Sequence, residues 1–311
     1  MKKLKNNMKD GLIGFLLVLV ILLSREVLTG SKYDVMERYL MNHYYSKDNL
    51  TQAMKDKLGN EYEESAYLSM SIADNFDSYV YNLVLDDINR YEDEKLAKYN
   101  TYYKQEKATE VLKNIEQKQS LIVEDKADIC YIKIPAFVKN FTYKEFIQNQ
   151  EIYNSNTKFI IDLRDNTGGD INELVKIMSV FYEKDKVLYT YIKSDEIIEK
   201  KAKGGEKIIF DKIAFLCNEK TASASEAMIF NMKTDFEDRI ITIGDKTYGK
   251  NFCYSYKKFK DDELFMFVTG LLGNSKGITF DIDGIEPDCK VEDNDCLHKA
   301  IELLNCNILY E

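Results

Sequence analysis

Histidine is scarce in this sequence, and its scarcity narrows the chemistry available to the protein. The chain of 311 residues has two histidines, His43 and His298, and neither belongs to a metal-ligand spacing such as HExxH. A Ser-His-Asp triad would have to recruit one of these two outlying residues. We therefore expect no metal site and no cofactor, and we look for hydrolytic chemistry that needs no histidine.

Paired cysteines are also missing. None of the six cysteines forms a CxxC motif, which argues against clustered zinc sites and thioredoxin-like redox sites. Half of them lie in apolar, strand-like runs, where cysteine behaves as a small buried hydrophobic residue: Cys130, Cys217 and Cys253. The others are free to oxidise in an exported protein, and the sequence leaves their pairing open: Cys289, Cys296 and Cys306.

An excess of basic residues is the third absence. Lysine and arginine number 43 against 53 aspartates and glutamates, so the net charge is −10. No basic excess is available to neutralise phosphates, and a nucleic-acid partner is therefore not expected. The length of the chain is enough for one large domain or two modest ones.

The N-terminus carries the pattern of an export signal. Lys2, Lys3, Lys5 and Lys9 precede an apolar run over residues 11–23, and positive charge before such a run holds the N-terminus inside. As a helix the run is about 20 Å long, shorter than a hydrocarbon core of about 30 Å. No small-x-small cleavage site follows it, which favours an uncleaved single-pass signal-anchor over a cleaved signal peptide. Residues 1–30 are thus predicted to hold the protein at the cell membrane with its body extracytoplasmic, or to direct its secretion if cleaved.

The remaining chain divides into two regions that differ in amino-acid composition and in hydrophobic pattern. Residues 31–125 are rich in Glu, Lys, Tyr and Leu, which predicts a mostly helical N-terminal region; residues 91–119 within it fit a solvated amphipathic helix. From Asp128 onward, β-branched apolar runs alternate with helical patterns. This alternation predicts an α/β domain over residues 126–311 with a buried, partly parallel sheet. The strands are expected at 129–134, 159–161, 213–216 and 240–243, and the helices at 143–150, 171–182 and 224–233.

Two strand-to-helix junctions in this domain have unusual sequences. The first, DLRDNTGG (residues 162–169), ends in Gly168 and Gly169, which tolerate positive φ and let backbone amides face an anion; a tight turn with a cap at Asp170 is the simpler interpretation. The second, TASASE (residues 221–226), places Ser223 among small residues at a helix start. There, a capping box between Ser223 and Glu226 is the alternative.

A third segment, GDKTYGK (residues 244–250), follows the next predicted strand. Lys250 is either an ordinary surface lysine or a desolvated one, because glycine and aromatic neighbours leave little room for water. Desolvation disfavours the charged amine. A lysine acting as a general base needs its pKa lowered from about 10.4 to roughly 7–8.

Taken together, these segments resemble the carboxyl-terminal processing, or tail-specific, serine peptidase family. The resemblance spans about residues 128–291 and includes the opening strand YIKIPAF (131–137), the three loops above and GIEPD (284–288). It implies a crotonase/Clp-protease-like ββα-repeat core and a serine endopeptidase acting on polypeptides. By matching positions, it implies Ser223, not Ser225, as nucleophile and Lys250 as base. The implied oxyanion hole consists of the Ala224 amide and an amide of the Gly168–Gly169 pair.

The chain departs from the family pattern at several positions. Lys250 follows Ser223 by 27 residues, two more than the family pattern, with the extra residues around 231–236. Tyr254 stands where relatives often have a glutamine that orients the lysine, and whether its hydroxyl substitutes for the amide is left open by the sequence. Asn251 replaces a glycine, and Asp235 matches a family aspartate to which we assign a structural role. A PDZ domain is not evident, because residues 82–125 are too short, charged and glycine-poor for it.

Two other functions remain open at this point. A non-catalytic relative would use the same cleft to bind a peptide or a small apolar ligand; the replacements Tyr254 and Asn251 favour it, whereas the intact serine, lysine and glycines favour the enzyme. A crotonase-like acyl-CoA enzyme would share the fold, but the export signal argues against chemistry that belongs to the cytoplasm. The helical N-terminal region is a candidate for gating the cleft or for forming a homo-oligomer.

Overall fold

The computed structural model describes residues 100–126, 128–193, 196–258 and 263–306. All of them belong to one compact unit, Glu94–Glu311. The predicted signal-anchor and the predicted helical region before residue 100 lie outside the described residues. Within the described ranges, no helix combines the length and apolar character needed to cross a membrane.

A six-stranded sheet, here called the parallel sheet, forms the centre of the unit. Its strand order is β11-β8-β7-β4-β3-β2, and every neighbouring pair is parallel except β2 and β3. All four predicted strands are confirmed as members of this sheet; the first ends one residue earlier than predicted, and the other three are longer by one or two residues. The strands are β2 (Ile122–Asp125), β3 (Ile129–Lys133), β4 (Lys158–Asp162), β7 (Lys212–Cys217), β8 (Ile240–Gly244) and β11 (Cys289–Lys290).

Helices cover both faces of the parallel sheet, which explains why its strands are apolar on both sides. Successive residues of a strand point to opposite faces, so Phe159 and Ile161 join one core cluster while Ile160 joins the other. Helices α4 (Ile171–Ser179) and α5 (Ala224–Asp235) contribute buried side chains to the first cluster, and α6 (Cys296–Asn305) contributes to the second. The two long predicted helices are therefore confirmed, whereas the predicted helix at 143–150 is split into α2 (Thr142–Phe146), a 3-10 turn (Ile147–Asn149) and α3 (Gln150–Asn154).

A second sheet, here called the antiparallel sheet, was not predicted from the sequence. Its longest strand, β10, pairs with β9 along one edge and with β1 and β5 along the other, and β5 continues to β6. All of these pairs are antiparallel. The strands are β1 (Thr101–Tyr103), β5 (Val187–Ile192), β6 (Ile197–Lys201), β9 (Phe252–Lys258) and β10 (Leu264–Gly273).

Residues 100–125, assigned above to the helical N-terminal region, are part of this unit. Helix α1 (Gln105–Glu116) lies within the predicted amphipathic stretch. However, β1 pairs with β10 and β2 pairs with β3, so strands on the two sides of the predicted 125/126 boundary share hydrogen bonds. The compact unit instead begins at Glu94. The change in sequence composition near residue 125 did not reveal this, because β1 and β2 are too short to give a periodic hydrophobic pattern.

Candidate active site

The three loops singled out in the sequence meet at one edge of the parallel sheet. They follow β4, β7 and β8, which are consecutive neighbours in the sheet and run parallel. The carboxyl ends of parallel strands lie at the same edge, which is where α/β sheets commonly bind ligands. The fold therefore brings together loops that lie far apart in the chain, at residues 162–169, 221–226 and 244–250.

Ser223 occupies the turn between β7 and helix α5. Its backbone is in a left-handed conformation, with φ +57° and ψ −115°, which is uncommon for a residue with a side chain and is typical of functional sites. The N–H of Ser223 donates to a carboxylate oxygen of Glu226 at 2.8 Å. The capping box considered in the sequence is thus present, and it holds the strained turn in place.

The glycine loop after β4 packs directly against this turn. A Cβ on Gly168 would lie 2.8 Å from both the Ala222 carbonyl oxygen and the Ser223 Cβ, and its φ is +101°. A Cβ on Gly169 would lie 2.2 Å from the Phe137 carbonyl oxygen, at φ +139°. Both positions therefore require glycine, for close backbone approach as well as for conformation.

The two glycine amides of this loop differ in what they can bind. The N–H of Gly168 donates to Asn166 Oδ1 at 2.8 Å, so it is already committed within the loop. Among the hydrogen bonds of the described residues, none has the N–H of Gly169 or of Ala224 as its donor. Ala224 is the first residue of α5, where a helix leaves its amides unsatisfied. Of the predicted oxyanion donors, Gly169 and Ala224 are the two that remain available.

Asn166, which the sequence analysis did not single out, ties the glycine loop to the serine turn. Its side chain donates to the Ile134 carbonyl at 2.8 Å and accepts from Gly168. Its backbone carbonyl accepts from the N–H of Ala222 at 3.0 Å and from the Ser225 hydroxyl at 3.1 Å. Ser225 is fully buried and points into this bond, so it is structural and is not exposed to a substrate.

Lys250 lies in a largely apolar setting at the end of its loop. Burial lowers the pKa of Lys250 from its ordinary value of 10.5 to about 8, although the nearby Cys253 and Glu226 oppose this effect. The Nζ atom lies 4.2 Å from the centre of the Tyr254 ring and 5.6 Å from that of Phe252. The alternative of an ordinary surface lysine does not describe this environment.

Glu226 connects the serine turn to the lysine loop. The carboxylate is fully buried. Oε2 accepts from the N–H groups of Ser223 and Lys250, both at 2.8 Å, and Oε1 accepts from the N–H of Gly249 and the hydroxyl of Thr247, both at 2.6 Å. Burial raises the pKa of Glu226, and these four hydrogen bonds work against the rise. One oxygen atom thus fixes the distance between the two backbones that carry the serine and the lysine.

The GIEPD segment supports the lysine loop from the other side. The backbones of Thr247 and Ile285 are joined by an N–H to carbonyl bond at 3.1 Å, and the Thr247 hydroxyl accepts from the Ile285 N–H at 2.8 Å. Asp288 accepts from the N–H and hydroxyl of Thr242 in β8 and pairs with Lys233 of α5. The segment therefore anchors the loop to both the sheet and the helix that carry the site.

The remaining departures from the family pattern have identifiable places in the fold. Asn251 is buried, its side chain donates to the Phe280 carbonyl at 2.9 Å, and its own carbonyl accepts from the Leu272 N–H at 2.7 Å. Residues 231–236 lie at the C-terminal end of α5. There, Asp235 accepts from the Ser275 hydroxyl at 2.6 Å, and this contact links α5 to the loop after β10.

Histidines, possible metal ligands and cysteines are the other groups that could carry chemistry in this protein. His298 is exposed on α6, and His43 lies outside the described residues. The part of the chain that the structure describes contains no cluster of three or more His, Cys, Asp or Glu side chains able to hold a metal ion. All six cysteines are free thiols, with Cys130, Cys217 and Cys296 buried.

Comparison with known sequences identifies relatives of this chain. A probable CtpA-like serine protease from Staphylococcus haemolyticus is 31% identical over 134 residues, which cover 42% of this chain and 27% of the relative. A second such protein, from Staphylococcus saprophyticus, is 27% identical over 156 residues, which cover 50% of this chain and 31% of the relative. This chain spans less than a third of the length of these curated relatives.

Comparison with solved structures and with family models completes the assignment. A lipoprotein from Streptococcus agalactiae has the same fold, with a TM-score of 0.62 and 16% identity over 89% of this chain and 96% of that one. The model of peptidase family S41 matches residues 128–291, just over half of the chain. The α/β fold class and the resemblance to carboxyl-terminal processing peptidases are thereby confirmed, and the chain belongs to peptidase family S41.

Proposed function

We propose that this protein is a serine endopeptidase that hydrolyses peptide bonds of exported or membrane-associated proteins through a Ser/Lys mechanism and an acyl-enzyme. The observation that supports it most is the shared Glu226 carboxylate. One of its oxygen atoms accepts hydrogen bonds from the backbone N–H of Ser223, in the strained turn, and from the backbone N–H of Lys250, whose side chain is partly neutral. Covalent catalysis requires a nucleophile and a base of lowered pKa whose positions are fixed relative to each other, and the shared carboxylate supports that arrangement here.

In this mechanism the neutral amine of Lys250 takes the proton of the Ser223 hydroxyl as the oxygen attacks the peptide carbonyl. The resulting ammonium then gives its proton to the departing amine, and an ester with Ser223 remains. Water, activated by the same lysine, releases the acid and restores the serine. A lysine whose pKa is about 8 can perform both transfers near neutral pH, because neither protonation state is strongly favoured.

The developing oxyanion is assigned to the amides of Gly169 and Ala224. Charge appears on the carbonyl oxygen only in the tetrahedral state, so fixed donors there lower the barrier without stabilising the substrate. The Gly168 amide already donates to Asn166. The role of Gly168 is to let the loop approach the serine turn, because it has no side chain. Removing one oxyanion donor typically costs about 10²–10³ in rate.

The substrate class and location follow from the sequence and are part of the proposal. The lysines that precede the apolar run at residues 11–23 support a catalytic unit outside the cytoplasm, either held by a signal-anchor or secreted after cleavage. Its substrate is then an exposed, flexible polypeptide in that compartment. No nucleic acid and no cofactor take part, and the region before residue 100 is a candidate for homo-oligomer contacts.

Cleavage of casein by the full chain tests the proposal. Wild type, Ser223→Ala and the neighbouring Ser225→Ala are compared, and each is also treated with a fluorophosphonate, which labels activated serines. We expect cleavage and labelling in wild type and Ser225→Ala, and neither in Ser223→Ala. Labelling that persists in Ser223→Ala would refute the assignment of the nucleophile.

The alternative function is peptide or small-ligand binding by a non-catalytic relative. The observation that favours it is the position of Tyr254, whose ring faces the lysine amine where relatives have an amide. It predicts that wild type binds unfolded casein without cleaving it and is not labelled by the fluorophosphonate. If the wild-type protein is folded and binds casein without cleaving it, the binding function replaces the enzymatic proposal.

A further inference from the structure

Strand β9 places two aromatic rings beside the amine of Lys250. Phe252 and Tyr254 are separated by one residue, so their side chains point to the same face of the sheet. The Nζ atom lies 4.2 Å from the Tyr254 ring centre and 5.6 Å from the Phe252 ring centre. Both distances are within the range of about 6 Å in which a ring face attracts a cation.

A ring face treats the two protonation states of lysine differently. The negative face of the ring attracts the ammonium, whereas the neutral amine gains little from it. Burial acts in the opposite direction, because removing water disfavours the ammonium. A ring at this position therefore holds the amine in place and limits how far burial alone disfavours its charge.

We propose that the ring face of Tyr254, and not its hydroxyl, positions the Lys250 amine and takes the place of the glutamine that related peptidases often carry there. This inference rests on the proposed role of Lys250 as the base. It answers a question that the sequence left open, namely whether the hydroxyl of Tyr254 substitutes for the amide. The structure places the Tyr254 ring centre 4.2 Å from the Lys250 Nζ atom, which is well within the range of a cation–ring contact.

Several other titratable groups face this pair, and all of them except Tyr256, which is the site of the control substitution, are left unchanged in the test. Glu226 on α5 and Cys253 on β9 act on Lys250. Cys253, Tyr256 on β9 and Tyr103 on β1 act on Tyr254. Burial raises the pKa of the Tyr254 hydroxyl above its ordinary value of 10.0, so the ring stays neutral over the range in which the amine titrates.

Two substitutions separate the ring from the hydroxyl. Tyr254→Phe removes only the hydroxyl, and Tyr254→Leu removes the ring while keeping the site apolar. Tyr256→Leu, which changes a partly exposed tyrosine on the same strand, is the matched control. The titration midpoint of the Lys250 amine is measured in the full chain by NMR after reductive methylation with ¹³C-formaldehyde. The resonance is assigned by its absence in Lys250→Arg.

We expect Tyr254→Phe and Tyr256→Leu to keep the wild-type midpoint, and Tyr254→Leu to lower it by about one pH unit. The pH dependence of casein cleavage should move in the same way, with kcat falling roughly 10-fold in Tyr254→Leu. Equal shifts in Tyr254→Phe and Tyr254→Leu would overturn the inference in favour of the hydroxyl, and no shift in either would overturn it altogether. If the titration midpoints of Lys250 change as expected but the wild-type protein does not cleave casein, the ring contact is supported and the proposed function is refuted.

Discussion

The two sheets of this protein differ in what they contribute to the site. Both have buried inner strands, since β4, β7 and β10 have no exposed residue, whereas most residues of β2 and β6 are exposed. Loops from the parallel sheet carry Ser223, Gly169 and Lys250. The antiparallel sheet adds no reacting group, but β9 supplies the rings around the Lys250 amine.

This difference indicates a division of tasks. A sheet covered on both faces is rigid, because its strands are fixed by close packing on each side. Groups that must be held within a fraction of an ångström are therefore best placed at its edge. The departure at Tyr254 lies on the antiparallel sheet, which carries no reacting group. The predictions below test this division, beginning with the largest effect.

Lys250→Met should abolish casein cleavage, a loss of at least about 10³-fold in kcat, because it removes the amine proposed to take the proton of Ser223. The matched control is Lys246→Met, in the same loop, whose amine pairs with Glu286 at the surface. The control should keep nearly full activity. Equal losses in both variants would mean that the loop, and not the Lys250 amine, is required.

The same variant should be more stable than wild type at pH 7. The folded pKa of Lys250 is about 8, below its ordinary value of 10.5, so the unfolded chain binds more protons between these values. Stability therefore rises with pH across this window, and burying the amine costs most below pH 8, at most about 3 kcal/mol. Urea unfolding of Lys250→Met at pH 7 should show an increase in the free energy of unfolding, and a decrease would contradict the burial of a disfavoured charge.

Cleavage by the wild type should increase with pH through about 8, where Lys250 loses its proton. Two units below that pKa only about 1% of the amine is neutral, so kcat/KM should drop roughly 50- to 100-fold between pH 9 and pH 6. Initial rates on a fluorescent casein measure this directly. A flat profile over that range would remove the tuned lysine from the mechanism.

Gly168→Ala should reduce activity about 100-fold, since a shift of the serine turn by about 1 Å has an effect of that size. The new methyl group would lie 2.8 Å from the Ala222 carbonyl oxygen and the Ser223 Cβ. Gly205→Ala is the matched control: its φ is +138°, but a Cβ there has no atom within 4 Å. The control variant has the backbone strain without the steric clash. Comparable losses of activity in both variants would therefore argue that close packing of the glycine loop against the serine turn is not required.

Glu226→Gln should lower kcat roughly 10-fold and the free energy of unfolding by about 1–3 kcal/mol, because an amide cannot accept all four hydrogen bonds. Losing the carboxylate also removes a charge that raises the pKa of Lys250, so the pH profile should move to lower pH. Glu237→Gln, just after α5 and exposed, is the control. Unchanged kinetics in Glu226→Gln would show that the two loops hold their positions independently.

Ser225→Ala should have the smallest effect, a few-fold in rate and about 1 kcal/mol in stability. Its hydroxyl makes one buried hydrogen bond, to the Asn166 carbonyl, and the neighbouring turn is also held by Glu226. Casein cleavage and thermal unfolding of the variant check this. A rate loss as large as that of Ser223→Ala would mean that the nucleophile was wrongly chosen.

The sequence predicted the parallel sheet well and did not predict the antiparallel one. Runs such as 129–134 and 213–216 are continuous and apolar because both faces of those strands are buried. Strand β10 (Leu264–Gly273) is similarly apolar, so its composition alone could have revealed it. Strand β6 is mostly exposed, and nothing in its composition separates it from a loop. Its place in a sheet depends on the partner strand β5.

The sequence by itself determined the main strands of the parallel sheet, the three loops that follow them and, through the family resemblance, the identity of the candidate serine and lysine. Apolar periodicity and turn-forming residues act over a few neighbouring positions, so they can be recognised without a fold. Only the tertiary structure decided that Glu226 joins the loops of Ser223 and Lys250, that Asn166 occupies the Gly168 amide, and that a ring faces the lysine. Apart from the contact between Asn166 and Gly168, which the shape of one loop sets, these contacts join different segments of the chain. Their geometry is set by strand register and helix packing, which no local pattern specifies.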